Sequence, residues 1–476
     1  MAFEISAAQR FVDDRWQRSI LPTLHDYIRI PNKSPAYDPR WDEAGHMQRA
    51  VDLVTGWIEA HPIDGMRLDV HRLPGRTPLV VVDVPATGPD AGDGTVLLYG
   101  HLDKQPEMVG WRHGLGPWEP VLEGDRLYGR GGADDGYAAF ASLSAIAAVR
   151  EAGGSHARCV LLVEASEESG SPDLPAHVDA LGDRLGEVEL VICLDSGCAT
   201  WDRMWTTTSL RGLVGLDVRV DIVREGIHSG ASGVVPSSFR ILRSLLSRIE
   251  DEATGDVLLP ELQVEIPAER VEQAKVAAEV LGDEVWNRYP LVDGARLMVD
   301  NAVDALLGRT WKAAVSVTGV GGIPPLADAG NVLRPHTALT LSIRVPPRAD
   351  DVAAREAVAA ALTADPPYGV KVSIDRLESA PGWDAPPTSP WLADAIERAS
   401  IDCFGNPAGA EGEGGTIPFM GMLGEKFPDA QFVVTGVLGP GTNAHGPNEF
   451  LHVPTARNLT AAVASILDSH ARRGPV

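Results

Sequence analysis

Five short clusters of carboxylate and imidazole residues constrain this chain more than any other feature, because each follows an apolar run or opens a helical one. In order they are His101-Leu102-Asp103, Asp134-Asp135, Glu167-Glu168, Asp195 and Asn443-Ala444-His445. The apolar runs are Thr95 to Tyr99, Cys159 to Val163, Leu190 to Leu194 and Phe432 to Val437. They are short and almost wholly apolar, the pattern of strands buried on both faces. In open α/β sheets, ligand sites form beyond the carboxyl ends of the strands, so clusters far apart in sequence can meet there.

Helical patterns at Trp41 to Ala60, Asp134 to Ala152, Trp391 to Phe404 and Thr455 to Arg472 alternate with these runs. The alternation predicts an α/β fold, a mainly parallel sheet with helices on both faces. From Arg211 to about Pro390 the rhythm changes. Gly215 to Val223, Ala313 to Thr318, Thr337 to Arg344 and Val370 to Asp375 read as strands, with helices at Pro236 to Glu250 and Asp350 to Thr363. That order is βαββαβ, an α+β arrangement, and residues 252–310 read as a mostly helical insertion within it. Four clusters precede this segment and the fifth follows it. The expected organisation is therefore a discontinuous domain of residues 1–210 and 391–476 that carries the clusters, interrupted by an inserted domain of residues 211–390.

The chain has 476 residues, 44% of them hydrophobic, enough to fill the cores of more than one domain. Its 66 acidic against 41 basic residues give a net charge of -25, which argues against nucleic acid or an anionic membrane as a partner. Most of that acidity reads as a solvated surface. No apolar stretch approaches the length of a membrane span, and the opening residues, running into Asp13-Asp14, lack the basic and apolar regions of a secretory signal. Cys159, Cys193, Cys198 and Cys403 form no CxxC pair. They read as reduced core thiols of a cytoplasmic protein.

Each cluster taken alone has an ordinary structural reading. His101 and Asp103 stand two apart beyond a strand, so a carboxylate can orient the imidazole for a metal; a core histidine bonded to a neighbouring aspartate has the same spacing. Asp134 follows the glycine-rich turn Gly129-Arg130-Gly131-Gly132 at the start of a helix. It suits an N-cap, yet a carboxylate there could also bridge two cations. Glu167 and Glu168 repel one another unless a cation neutralises one of them and leaves the other free to accept a proton as general base. Asp195 and His445 would each be unremarkable alone. Together the five supply one histidine and one carboxylate for each of two metals, plus a shared bridge, a set that suits two zinc ions with room for water.

A longer pattern surrounds these residues. Gly100-His101-Leu102-Asp103, Trp111, Pro117-Trp118-Glu119-Pro120, Gly124-Asp125-Arg126-Leu127-Tyr128-Gly129-Arg130-Gly131 and Asp134-Asp135 occur in order. Glu167-Glu168-Ser169-Gly170-Ser171, Asp195-Ser196-Gly197, His228-Ser229-Gly230 and His445-Gly446-Pro447-Asn448-Glu449 follow. The sequence resembles the M20 metallopeptidases over nearly its whole length, and its long inserted domain is most similar to the dipeptidase branch that contains the carnosinases and the cytosolic non-specific dipeptidases. The resemblance implies a zinc-exopeptidase-like catalytic domain with an inserted lid and dimerisation domain. It implies two divalent ions, Zn2+ first, with Mn2+ or Co2+ as alternatives. His101 and Asp195 would hold one ion and Glu168 and His445 the other, with Asp134 bridging across a cis bond to Asp135. Asp103 would orient His101 and Glu167 would be the base. His228 would polarise the substrate carbonyl from the partner subunit of a homodimer. Asn331, Arg344, Gly415 and Thr416 match positions that grip the backbone and terminal carboxylate of the substrate, for which a bidentate guanidinium is suited. One departure stands out: the family continues its paired aspartates with Lys-Gly, and here Gly136-Tyr137 follow.

These implications converge on a cytoplasmic enzyme that hydrolyses peptide bonds in dipeptides or short peptides by a metal-bridging water, with Glu167 as general base. Hydrolysis of N-acyl amino acids by the same metals is the alternative within the same chemistry, disfavoured by the length of the inserted domain. A metal-free binding protein on the same fold is the alternative of another class, disfavoured because every ligand-type residue is intact.

Overall fold

One of the predicted apolar strands lies in the middle of the larger sheet. In the computed structural model, which describes residues 3–92 and 94–473, Thr95–His101 is buried along its whole length. It pairs in parallel with Arg158–Glu164 on one side and Val188–Cys193 on the other, and Gln431–Val434 lies parallel beyond Val188–Cys193. A strand enclosed on both faces must be apolar at every position, which is why these runs do not alternate. Two strands absent from the sequence reading complete the sheet. Leu79–Val84 runs antiparallel to Arg158–Glu164, and Arg67–His71 antiparallel to Leu79–Val84. The six-stranded sheet is therefore mixed, with four parallel strands and an antiparallel pair at one edge. The pair escaped the sequence reading because no ligand-type cluster follows either strand.

The helix Ala138–Glu151 is buried on nearly all sides and is rich in alanine, with Phe140, Leu143 and Ile146 among its larger apolar residues. Small side chains let neighbours approach closely, and the helices Ile5–Arg15 and Val453–Arg472 pack on it, the latter also against Pro390–Phe404. A continuous core joins these helices to the sheet through Trp16, Tyr27, Val80, Leu98, Leu161 and Ile192. Burying each such side chain contributes about 1.5–3 kcal/mol. The expected helix from Trp41 to Ala60 is two, Trp41–Ala44 and His46–Ala60, divided at Gly45, whose φ of 68° lies in the left-handed region that glycine enters at no steric cost.

The chain divides into two compact units, Met1–Thr207 with Ala385–Glu411 and Met422–Val476, and Thr208–Asp384 with Gly412–Gly421. The second unit is built on an antiparallel sheet in the order Ala314–Gly321, His336–Val345, Gly212–Asp221, Lys371–Ala380. His336–Val345 alternates strictly between buried and half-buried residues. Its buried face, with Val214, Val218 and Val220 from Gly212–Asp221, meets Ile241, Leu245, Val358 and Leu362 of the helices Ser238–Leu246 and Asp351–Thr363. Ser237 and Asp350 cap those helices, accepting from Arg240 N and from Val352 N and Ala353 N. The segment 252–310 contributes the helices Ala268–Leu281, Glu284–Asn287 and Ala302–Thr310. Among the described residues, no helix is long and apolar enough to cross a membrane.

Candidate metal centre

Residues at the carboxyl ends of the parallel strands converge in the first unit. Thr95–His101 ends on the buried His101, whose Nδ1 lies 3.1 Å from the Asp103 carbonyl and 3.4 Å from Asp103 Oδ1. Its Nε2 is left facing two other carboxylates, 3.2 Å from Asp134 Oδ1 and 3.7 Å from Asp195 Oδ1. The second oxygen of Asp134 lies 3.0 Å from Nε2 of His445, which is in turn 3.3 Å from Glu168 Oε2. Asp134 thus turns one oxygen to each imidazole. Two trios result, His101–Asp134–Asp195 and Asp134–Glu168–His445, in each of which one donor atom per residue lies within 4.8 Å of the others.

The turn that presents Asp134 is not helical. Asp134 and Asp135 have extended or irregular dihedrals, the bond between them is cis as the resemblance implied, and the following helix begins only at Ala138. Asp134 is therefore not an N-cap, and its carboxylate is free to face the imidazoles. Asp103 has a second task besides His101. Its two oxygens accept from Glu167 N at 3.1 Å and Glu168 N at 3.0 Å, fixing the short turn Glu167–Ser169. The buried Gln105 donates to Glu168 Oε2.

Beneath this turn, Glu164 ends its strand and accepts from the hydroxyls of Tyr99, Ser166 and Ser171. Burial, then Asp103, pushes its carboxyl up to about 7. Neither Gln105 nor Glu164 figured in the sequence reading. The available signal for Glu164 was a carboxylate closing an otherwise apolar run.

The electrostatics of the cluster supply a test of whether cations fit. Burial, then the nearby Asp195, raises Glu167 well above the ordinary carboxylate range; burial, then Asp134, does the same to Glu168. Asp195 is also raised by burial, although His101 opposes it. Asp134 alone is lowered: burial works against its charge, but the imidazoles of His101 and His445 outweigh it. Burial disfavours the His101 cation, yet Asp195, Asp103 and Asp134 together raise it well above the ordinary value. Five carboxylates, Asp103, Asp134, Glu167, Glu168 and Asp195, thus share a half-buried or buried space with two imidazoles. That excess of negative charge is what divalent cations would neutralise, and the donors are the nitrogen and oxygen types that zinc takes.

The departure after the paired aspartates has a steric cause. A Cβ at Gly136 would lie 2.1 Å from Tyr27 Cε1 and 2.6 Å from the Gly131 carbonyl. The lysine usual in the family has no room there. A buried lysine enters from the segment just beyond Thr95–His101: Lys104 Nζ donates to the carbonyls of Tyr27 (2.8 Å) and Ile30 (2.9 Å) and lies 3.9 Å from the Tyr27 ring centroid. Gly136→Ala is expected to lower stability by about 1–3 kcal/mol, the usual cost of overpacking. An unchanged thermal midpoint would show that the Tyr27 ring can yield.

The remaining predicted residues belong to the second unit. His228 lies in Ile227–His228, paired with Val332–Leu333; its ring is exposed and Nδ1 accepts from Gly230 N at 3.0 Å. The carbonyl of Asn331 accepts from Ser229 N at 2.9 Å, so these two predicted residues are brought together. Arg344, whose pKa burial lowers, donates from Nη1 to Thr416 Oγ1 at 3.3 Å. Thr416 Oγ1 in turn donates to the Arg211 carbonyl at 2.6 Å, and the adjacent Gly415 is exposed.

Comparison with known proteins gives a consistent picture. The sequence profile of peptidase family M20/M25/M40 matches residues 97–469. The cysteinylglycine-S-conjugate dipeptidase of Corynebacterium striatum is 27% identical over 427 residues, covering 86% of this chain and 88% of that protein. The Beta-Ala-His dipeptidase of Homo sapiens is 24% identical over 425 residues, covering 87% and 82%. The fold matches the solved structure of the di-peptidase Dug1p from Saccharomyces cerevisiae, with a TM-score of 0.78 at 20% identity and 100% of both chains covered. It also matches human carnosine dipeptidase 1, with a TM-score of 0.76 at 21% identity over 99% of this chain and 100% of that one.

Proposed function

The chain belongs to peptidase family M20/M25/M40, and on that premise we propose that it hydrolyses the peptide bond of dipeptides with two divalent metal ions. His101 and Asp195 would hold one ion and Glu168 and His445 the other, with Asp134 shared between the two trios. The observation that carries this reading is the division of Asp134 between the two histidines, 3.2 Å to His101 Nε2 and 3.0 Å to His445 Nε2. When bound, the ions supply Lewis acidity, which lowers the pKa of water and polarises a carbonyl. Glu167 accepts the proton of the attacking water and returns it to the leaving amine. Its mobility is limited by the Asp103 contact to its own N–H, which holds the carboxylate on a fixed backbone. Asp103 also keeps the His101 imidazole oriented, its carbonyl accepting from Nδ1 and its carboxylate lying beside it.

Zinc suits the nitrogen and oxygen donors best, and manganese or cobalt fits the same set. The substrate is an unblocked dipeptide, supported by the two dipeptidase relatives and by their coverage of nearly the whole chain. Arg344 and Thr416 take its carboxylate, with Gly415 and Asn331 at its backbone, and His228 stabilises the oxyanion from the partner subunit of a homodimer. The first unit is the catalytic domain and the second is the lid and dimerisation domain. Exposed apolar residues on and beyond the edge strand Ala314–Gly321, namely Val317, Val320, Ile323 and Leu326, support pairing through that unit. Four buried thiols without disulfides support a cytoplasmic setting.

The test is a substrate panel assayed on the purified chain after chelation and reconstitution with Zn2+, Mn2+ or Co2+. Cysteinylglycine, β-alanylhistidine and other unblocked dipeptides are expected to be cleaved by the reconstituted protein alone. Cleavage of N-acyl amino acids in preference to every dipeptide, or activity that survives chelation, would refute the proposal.

A further inference from the structure

His445 sits in an improbable piece of backbone. Its φ is 65°, and Asn443 and Asn448 in the same loop also have positive φ, at 54° and 62°. Asparagine and histidine tolerate this region better than most residues, but three such positions within one short loop still call for contacts that hold them. His445 is itself about half exposed, at 55%, so packing around the imidazole does not supply that constraint.

The constraint comes from below. Arg130, which is 1% exposed, directs Nη2 to the carbonyls of His445 at 3.0 Å and Gly446 at 2.8 Å, and Nη1 to the carboxylate of Glu449. Glu449 is fully buried, accepts from Gly131 N at 2.8 Å through its other oxygen, and gives its own carbonyl to Gly129 N at 3.0 Å. One guanidinium and one carboxylate therefore bind the glycine-rich turn that presents Asp134 to the loop that presents His445. Neither side chain belongs to either ligand trio.

We infer that Arg130 and Glu449 are positioning residues that preform the second metal position by locking the His445 loop onto the Asp134 turn. The inference rests on the dinuclear reading above and goes beyond it, because it assigns the assembly of one ion's site to a buried ion pair that ligates nothing. Arginine is required for its geometry. Its planar fork spans Glu449 and two carbonyls at once, whereas a lysine ammonium keeps the charge but not the three directions.

The experiment compares metal binding in the wild-type chain and Arg130→Lys, by calorimetry and by elemental analysis after dialysis. The wild-type chain is expected to take two ions; if it takes fewer, the dinuclear reading itself fails. With two ions in the wild type, Arg130→Lys is expected to lose about 10- to 100-fold in affinity for one ion only, the scale on which contacts behind a ligand act. A general loss of stability would weaken both ions together, and that result, or two ions bound with wild-type affinity, overturns the inference. A second measurement needs no variant and covers the case in which Arg130→Lys does not fold. In the metal-free wild type, hydrogen exchange across residues 443–449 is expected to be slowed already, within a few-fold of the metal-loaded chain. Free exchange there until metal is added would equally overturn it.

Discussion

Glu167→Gln is expected to lower kcat by about 10²–10⁴-fold, the range that a positioned general base contributes, with both metal ions still bound. The amide keeps the size of the side chain and cannot accept a proton. Its loss is confined to chemistry because Glu167 belongs to neither ligand trio, and the contact that holds its turn runs from the backbone N–H to Asp103 rather than through the side chain. Glu168→Gln is the informative neighbour. Glu168 Oε2 lies 3.3 Å from His445 Nε2 and belongs to the second trio, so that substitution should weaken an ion. Elemental analysis beside steady-state kinetics separates the two. Near-normal turnover by Glu167→Gln with dipeptides would show that another group takes the proton.

Local pattern shows the two glutamates only as a repulsive pair after a strand; their separate roles come from the family resemblance. Which of them faces the imidazoles depends on the turn Glu167–Ser169, and that turn is fixed by Asp103, more than sixty residues earlier (|i−j| 64 and 65). Local pattern located the strands for a simple reason: runs such as Thr95–His101 are buried on both faces and must be apolar throughout. The same pattern read Asp134 as the first residue of a helix. The helix begins at Ala138 because Asp134 and Asp135 leave helical dihedrals to point a carboxylate between two histidines. The antiparallel edge pair Arg67–His71 and Leu79–Val84 went unread because nothing chemical marks it. The buried pair Arg130 and Glu449 stood in full view within recognisable motifs. Its meaning lies in contacts spanning more than three hundred positions (|i−j| 319), which no local periodicity reports.

The remaining large effect tests assembly. His228→Ala is expected to cost about 10²–10³-fold in kcat, as the loss of one oxyanion donor does, while leaving both ions bound, since His228 lies in the second unit, outside both trios. Its Nδ1 accepts from Gly230 N and its ring is exposed. With Nδ1 so occupied, the neutral tautomer carries its proton on Nε2, and that N–H is free to donate to a developing oxyanion. If the histidine serves the partner subunit, a chain carrying Glu167→Gln and a chain carrying His228→Ala are each nearly inactive alone but complement each other when mixed. In a mixed dimer, the His228→Ala chain contributes an intact Glu167 and its partner contributes an intact His228, so one of the two sites is whole. Equal mixing with random exchange forms mixed dimers in about half of all pairs, which returns about a quarter of the wild-type activity per chain. Exchange is verified independently by differently tagged chains. Were exchange complete and activity to stay at the level of the separate variants, His228 would act within its own chain or not at all, and the trans arrangement would be excluded.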